Sequence, residues 1–162
     1  RNFRRKYDSK NIRYIPYFGN ILTREKLLKG IYSKCDIFVY PSFCDSFGYS
    51  LIDALVAKLP IITTNLFAIP EIIENNKNGF IIKIPGYNLE NSFFQVHQYQ
   101  KINSSDNKKI INKLVKNLEK LIKSKKLRNN MSEESFKLVK NGKFSIGKRR
   151  EKLRKIYEEA LK

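Results

Sequence analysis

The sequence predicts an α/β fold in which a parallel sheet is covered by helices on both faces. Short runs rich in β-branched and aromatic residues alternate with longer segments of helical periodicity, which is the pattern of β-α-β units. The 162 residues are enough to bury one hydrophobic core. The apolar runs, such as Phe80–Ile82, are far shorter than the roughly 20 residues of a membrane-spanning helix.

Strands and helices alternate in the first half of the predicted fold. The predicted strands are Ile12–Phe18, Ile37–Tyr40, Ile61–Thr64 and Phe80–Ile84. The helices between them are Arg24–Tyr32, Tyr49–Ala57 and Ile69–Asn75.

The second half is predicted to be helical after an irregular insertion. Residues 86–108 show no clear period and are expected to be an irregular insertion, which could equally hold a short helix. We expect the single histidine, His97, to lie there in an exposed loop. Apolar spacing predicts a long helix from Lys109, a second over about 128–140 and a last one from Gly147 to Leu161. The inward residues of the last helix are predicted to be Leu153, Ile156, Tyr157 and Leu161.

Basic residues are concentrated in the C-terminal part of the chain. Residues 1–100 hold 13 Lys and Arg against 8 Asp and Glu, a net charge of +5, and residues 101–162 hold 20 against 7, a net charge of +13. Such a surface could meet nucleic acid, anionic lipid or phosphorylated sugars, or could be a solvated basic face. No nucleic-acid-binding pattern is recognised, so no nucleic-acid partner is expected.

The two cysteines and the histidine do not predict a reactive or metal site. Cys35 and Cys44 flank a predicted strand, and nine residues of extended chain at about 3.3 Å each separate them too far for a disulfide. We expect reduced thiols in a cytoplasmic protein. No base is expected near either thiol, and the histidine and acids lack metal-ligand spacing.

Residues 36–54 carry the most informative pattern. A strand is followed by a loop with Asp45, by Gly48 at the start of a helix, and by Asp53 about one turn inside that helix. Asp45 by itself could equally be a turn or cap residue. The joint pattern places two hydrogen-bond acceptors beside a helix start.

This arrangement suits a ligand with a diphosphate and two polyols. The N–H groups of Gly48, Tyr49 and Ser50 are predicted to be free, and with the helix dipole they favour a diphosphate. Asp53 can accept from a ribose diol, and Asp45 can reach a second polyol. A nucleotide sugar combines these groups.

The same residues resemble the C-terminal, donor-binding domain of family 4 retaining glycosyltransferases, also described as glycosyl transferases group 1, which have the GT-B fold. The matching motif is Pro41-Ser42, Asp45, Phe47-Gly48 and Asp53. Further matches are Ala54, Ala57, Pro60, Ile61-Ile62-Thr63, Ile69-Pro70-Glu71-Ile72-Ile73, Asn78-Gly79-Phe80 and 157–161. The similarity runs from about residue 12 to 162 and is poor over 86–108.

The resemblance implies a Rossmann-like domain and a role for each matched residue. Asp45, the one catalytic candidate, would hold hydroxyls of the donor sugar, and Asp53 would bind the ribose. The remaining donor-binding candidates lie beside the sugar, the diphosphate or the nucleobase: Phe47, Gly48, Tyr49, Ser50, Gly19, Ile21 and Lys26. A solvated helix face is the alternative for Lys26.

The implied activity is transfer of a hexosyl group from a UDP- or GDP-sugar with retained configuration and without a metal or other cofactor. The implied partner is an N-terminal acceptor domain of the same parent protein, to which a crossover helix over 148–162 would return. Part of the apolar stripe of that helix would pack on that domain, so we expect part of it to be uncovered in this chain. We expect 1–162 to be a partial domain that lacks its first strand–helix unit or units and a basic diphosphate clamp, which none of Arg4, Arg5 and Lys6 replaces. The expected location is cytoplasmic, with contact at an anionic membrane face left open.

Several residues depart from the family pattern. Asp stands at both acid positions where Glu is usual, Lys58 stands where Gly is frequent, and Phe67-Ala68 replaces a frequent Gly pair. An inactive relic that keeps the fold, or a basic module that binds anions or membrane surfaces, is therefore the alternative function.

Overall fold

The computed structural model describes residues 23–43, 45, 47–87 and 104–162. The helices and strands, in chain order, are α1 Arg24–Gly30, a 3₁₀ turn Tyr32–Lys34, β1 Phe38–Tyr40, α2 Tyr49–Val56, β2 Ile61–Thr64, α3 Ile69–Ile72, β3 Gly79–Ile82, α4 Ser104–Lys123, α5 Lys125–Lys140 and α6 Ile146–Ala160. The predictions for Ile12–Phe18, Gly19, Ile21, Cys44 and His97 lie outside the described residues.

The described strands form a parallel sheet in the order β1-β2-β3. Phe38 pairs with Ile61, and Ile61 pairs with Gly79, so β2 is central. All four residues of β2 are buried, and because side chains alternate between the two faces, both faces are covered. Helix α2 packs against α5, and α4 packs against β2 and β3. The predicted α/β class is confirmed.

Helix α4 begins earlier than the sequence predicts. It starts at Ser104, so residues 104–108 are helical and not part of an irregular insertion. Asp106 lies in the first turn, where a carboxylate is favoured by the helix dipole, and its Oδ1 is 3.2 Å from Lys109 Nζ. The exposed, polar first turn has no apolar periodicity, which is why the pattern alone placed the start later.

Two residues that replace glycines of the resembling family keep a glycine-type backbone. Lys58 has φ 59° and Phe67 has φ 49°, in the left-handed region that favours glycine. Lys58 Nζ lies 4.3 Å from the centre of the Phe136 ring. The Phe67 N–H donates to the Tyr87 hydroxyl at 2.6 Å. The turns are thus retained, with side-chain contacts that help to hold them.

Helix α6 lies on the surface along its whole length. Every residue from 146 to 162 is exposed, including Ile156 at 57% and Tyr157 at 65%. Its start is fixed locally, because the Ser145 Oγ accepts from the Lys148 N–H. The prediction that this stripe faces inward is wrong within this domain, since no other element covers it among the described residues. Its exposure agrees with the expectation that part of the stripe is left uncovered in this chain. Passage of the helix to a second domain stays a prediction.

Candidate functional site

Asp45 closes the loop between β1 and α2. Its Oδ1 accepts hydrogen bonds from the N–H groups of Phe47 at 3.2 Å and Gly48 at 3.0 Å, and its Oδ2 accepts one from the Tyr40 hydroxyl. This is an Asx-type turn that leads into the helix. Gly48 has φ 83°, and a Cβ there would lie 2.9 Å from a Leu51 side-chain carbon, so the turn requires glycine.

These contacts keep Asp45 ionised. The hydrogen bond from Tyr40 lowers the pKa of Asp45 most, partial burial raises it, and the N–H groups of Gly48 and Phe47 lower it further, with a net lowering. A carboxylate offers about four acceptor positions, and described residues occupy three of them. The turn role is therefore established, and no described residue occupies the fourth position, which is on Oδ2.

Asp53 is held by an arginine from α1. Arg24 Nε lies 2.6 Å from Asp53 Oδ1, and the Asp53 side chain is only 14% exposed. Thr23 caps α1 by accepting from the Lys26 N–H, which sets Arg24 at the first position of the helix. Asp53 Oδ2 has no hydrogen-bond donor among the described residues.

A buried tyrosine lies near the same carboxylate. Tyr32 hydrogen-bonds with the Ser50 side chain and lies in the field of Asp53. Burial, and then the charge of Asp53, raise the pKa of Tyr32 in spite of the Ser50 bond, so its hydroxyl stays protonated. The Phe38 ring stacks 5.3 Å from Tyr32 and 5.9 Å from Tyr40. The three stacked rings thus run from Tyr32, near Asp53, to Tyr40, which hydrogen-bonds to Asp45.

A groove of about 1110 Å³ opens beside Asp53. Helices α1 and α2 form one wall, and α6 with the turn before it forms the other. Phe47 and Tyr49 line it beside Asp53; their ring centres are 5.1 Å apart, and Tyr49 is 78% exposed. Such a concave, largely apolar site with a few polar groups is suited to a small organic ligand.

The charged side chains of the groove are mainly basic. Asp53 is the one acid in the described lining. Four cationic residues from α1, from α6 and from the turn before α6 line the groove with it: Arg24, Lys143, Arg149 and Lys152. Sequence analysis singled out none of these four. All four lie far from Asp53 along the chain, so no local sequence motif could predict that they share a groove with it.

The remaining predicted residues are distributed around this groove. The N–H of Gly48 is not free as predicted, because Asp45 accepts its hydrogen bond. The N–H groups of Tyr49 and Ser50 have no acceptor among the described residues. Lys26 is exposed and is absent from the groove lining, as its alternative interpretation requires. In the described ranges no three His, Cys, Asp or Glu side chains are placed to hold a metal ion.

The segment that contains the Asp45 loop and the α1–α2 wall of the groove matches a known protein family. Residues 18–91 match the model of the family described as Glycosyl transferases group 1. The glycosyltransferase group 1 match includes Asp45, Asp53 and Arg24 and ends before α4.

Individual relatives include one protein named as a glycosyltransferase and one named as a sucrose synthase. The chain is 29% identical over 131 residues to the capsular polysaccharide biosynthesis glycosyltransferase CapM of Staphylococcus aureus. The aligned region covers 81% of this chain and 28% of CapM. It is 39% identical over 57 residues to a sucrose synthase of Nitrosomonas europaea, covering 35% of this chain and 7% of that protein. The chain thus spans only a small part of these relatives.

A solved structure has the same fold. It is the C-terminal domain of the glycosyl transferase group 1 family protein LpcC from Francisella tularensis. The two align with a TM-score of 0.53 and 24% identity, over 80% of this chain and 53% of that one. The similarity supports the parallel sheet with flanking helices.

Proposed function

We propose that this chain is the donor-binding part of a glycosyltransferase that moves a hexosyl group from a UDP- or GDP-sugar to a glycan, lipid-linked or small-molecule acceptor. The observation that carries the proposal is the Asp53 carboxylate, which Arg24 fixes at 2.6 Å while its Oδ2 remains available beside the groove. The glycosyltransferase group 1 match over 18–91 supports it. Retention of the anomeric configuration is part of the proposal.

Each part of the donor has a partner in this arrangement. The ribose diol donates to Asp53 Oδ2, and a sugar hydroxyl donates to the remaining position on Asp45 Oδ2. The N–H groups of Tyr49 and Ser50 are available to phosphate oxygens. Amide groups and cations that are already in place stabilise the leaving diphosphate electrostatically, so the proposed reaction requires no metal or other cofactor.

The acceptor belongs to another part of the same parent protein in this proposal. The match covers 28% of the length of CapM. The groove described above is assigned to the donor. We therefore expect the isolated chain to bind a nucleotide without transferring sugar, and the full-length protein to do both.

Replacing Asp53 by asparagine is expected to weaken UDP or GDP binding by about 10- to 100-fold. The neutral amide loses charge-assisted hydrogen bonds worth roughly 1.5–3 kcal/mol. Calorimetric titration of the chain and of the full-length protein measures the change. Asp36→Asn is the matched control, since Asp36 is exposed and away from the groove. Equal affinity of the Asp53 variant and the wild type would contradict the ribose contact.

The basic C-terminal helices favour a second candidate function, which is contact with an anionic membrane surface at the cytoplasmic face. In α6 the exposed apolar residues Leu153, Ile156 and Tyr157 alternate with basic residues. An amphipathic helix of this kind lies in a lipid interface with its apolar side buried. None of the described helices is long and apolar enough to cross a membrane.

Membrane contact predicts co-sedimentation with phosphatidylglycerol vesicles and little with phosphatidylcholine vesicles. Binding should fall steeply as salt is raised above about 0.1 M, because the Debye length there is only about 10 Å. Replacing Ile156 and Tyr157 by serine should lower it further by removing the apolar contact. Equal sedimentation with the two lipids would contradict this candidate.

A further inference from the structure

The groove is more basic than the matched segment alone would make it. Its α1 and α2 walls carry one cation and one acid, Arg24 and Asp53, which neutralise each other. The excess positive charge comes from the other wall, where Arg149 and Lys152 lie on α6. That helix is far outside residues 18–91, the part matched by the family.

The six cations of α6 differ in their ion pairs and in whether they line the groove. Lys148, Arg154 and Lys155 each form an ion pair with a glutamate of the same helix and are absent from the groove lining. Arg149 and Lys152 line the groove and have no acidic partner among the described residues. Arg150 lies outside the groove lining and also has no acidic partner among the described residues. Three of the four α6 cations outside the groove are thus paired, whereas neither of the two inside it is.

The spacing of the two groove cations suits a polyanion. Residues three apart lie on neighbouring turns of one helix face, about 5–6 Å between Cβ atoms, so both head groups can approach one ligand. A guanidinium binds phosphate oxygens through two parallel hydrogen bonds, and an ammonium adds a mobile point charge. The Phe47 and Tyr49 rings of the opposite wall offer an apolar surface to the rest of that ligand.

We propose that Arg149 and Lys152 bind the phosphate groups of the nucleotide sugar, so that α6 forms the second half of the donor site. This inference rests on the proposed function and adds two binding residues to it. The donor lies between α2 and α6, and the nucleotide holds α6 against the remainder of the domain.

The test is titration of UDP and GDP, and of uridine and guanosine, into the chain and the full-length protein. In Arg149→Gln/Lys152→Gln, affinity for the diphosphates should fall at least about tenfold, whereas nucleoside affinity should change little. The matched control is Arg150→Gln/Lys155→Gln. It also removes one arginine and one lysine from α6, but both lie outside the groove lining. It should leave diphosphate affinity within about twofold of the wild type. The charge-conserving exchange Arg149→Lys/Lys152→Arg should retain most of the affinity.

The outcomes separate the inference from the proposed function. If the wild type binds UDP or GDP and both double variants bind equally well, the inference is wrong and the donor-binding function stands. If both variants lose affinity to the same extent, the effect is one of net charge and the inference is also wrong. If the wild type binds neither nucleotide, the proposed function fails and the inference fails with it. Equal thermal unfolding of the variants serves as the folding control.

Discussion

Replacing Asp45 by alanine in the full-length protein is expected to lower sugar transfer by at least about 100-fold, or about 2.7 kcal/mol. The change removes three hydrogen bonds at once, from Tyr40 and from the N–H groups of Phe47 and Gly48. Each hydrogen bond to a charged group contributes roughly 1.5–3 kcal/mol. The loop would no longer hold the start of α2 beside the groove, and the proposed sugar contact would be lost as well.

Asparagine at the same position separates these two effects. Asp45→Asn keeps an oxygen for the Phe47 and Gly48 N–H groups and loses the charge, so UDP or GDP affinity should change less than the turnover number. The assay is transfer from radiolabelled donor, with nucleotide affinity measured in parallel. A loss of free nucleotide binding as large as the loss of turnover would show that the carboxylate acts only through the loop.

The same carboxylate makes a pH-dependent contribution to stability. Its folded pKa lies below the ordinary value of 3.8, mainly because of the Tyr40 hydrogen bond. Its stabilising contribution is therefore complete above pH 3.8 and is lost as the pH falls below that value through the lowered folded pKa. The difference in unfolding free energy between wild type and Asp45→Asn should accordingly shrink in this acid range.

Replacing Gly79 by alanine is expected to destabilise the chain by about 3 kcal/mol. Gly79 lies opposite Ile61 in the β2–β3 pairing, and a Cβ would lie 2.4 Å from the Ile61 carbonyl oxygen. A backbone atom in a central strand cannot move aside as a flexible side chain can. The strands must separate, which disturbs the sheet that positions α2 and its carboxylates.

Thermal unfolding of the chain measures this effect. For a chain of this size about 3 kcal/mol corresponds to a fall in Tm of roughly 6–12 °C. Gly147→Ala is the matched control, because no atom lies within 4 Å of a Cβ built at Gly147, and alanine favours the α6 helix. A Tm of Gly79→Ala equal to that of the wild type would contradict the close approach of β2 and β3.

The departures from the resembling family bear on whether the parent protein is active. Lys58 and Phe67 replace glycines yet keep the left-handed backbone, so these changes leave the turns in place. The shorter Asp53 meets an arginine at 2.6 Å. These observations show a retained backbone at both turns and a held carboxylate. Measurable nucleotide binding in the wild type is the result that distinguishes a working donor site from an inactive relic.

The sequence by itself determined the fold class and the position of both carboxylates along the chain. Strand and helix periods are local properties, and Gly48 followed by Asp53 places an acid one turn inside a helix whatever surrounds it. The same local reasoning failed at the exposed start of α4 and for the uncovered stripe of α6. In both places the local apolar pattern cannot show which residues are buried, because burial depends on the packing of other elements.

Only the tertiary structure decided the partners of the carboxylates. Arg24 is 29 residues from Asp53, and Arg149 and Lys152 lie almost 100 residues beyond it, so only the tertiary arrangement of α1, α2 and α6 brings them to one groove. Tyr40 reaches Asp45 because the loop after β1 folds back on the strand end. Residue spacing can assign a side chain to a face of its own helix, but the distance to another element depends on how the hydrophobic core packs them together.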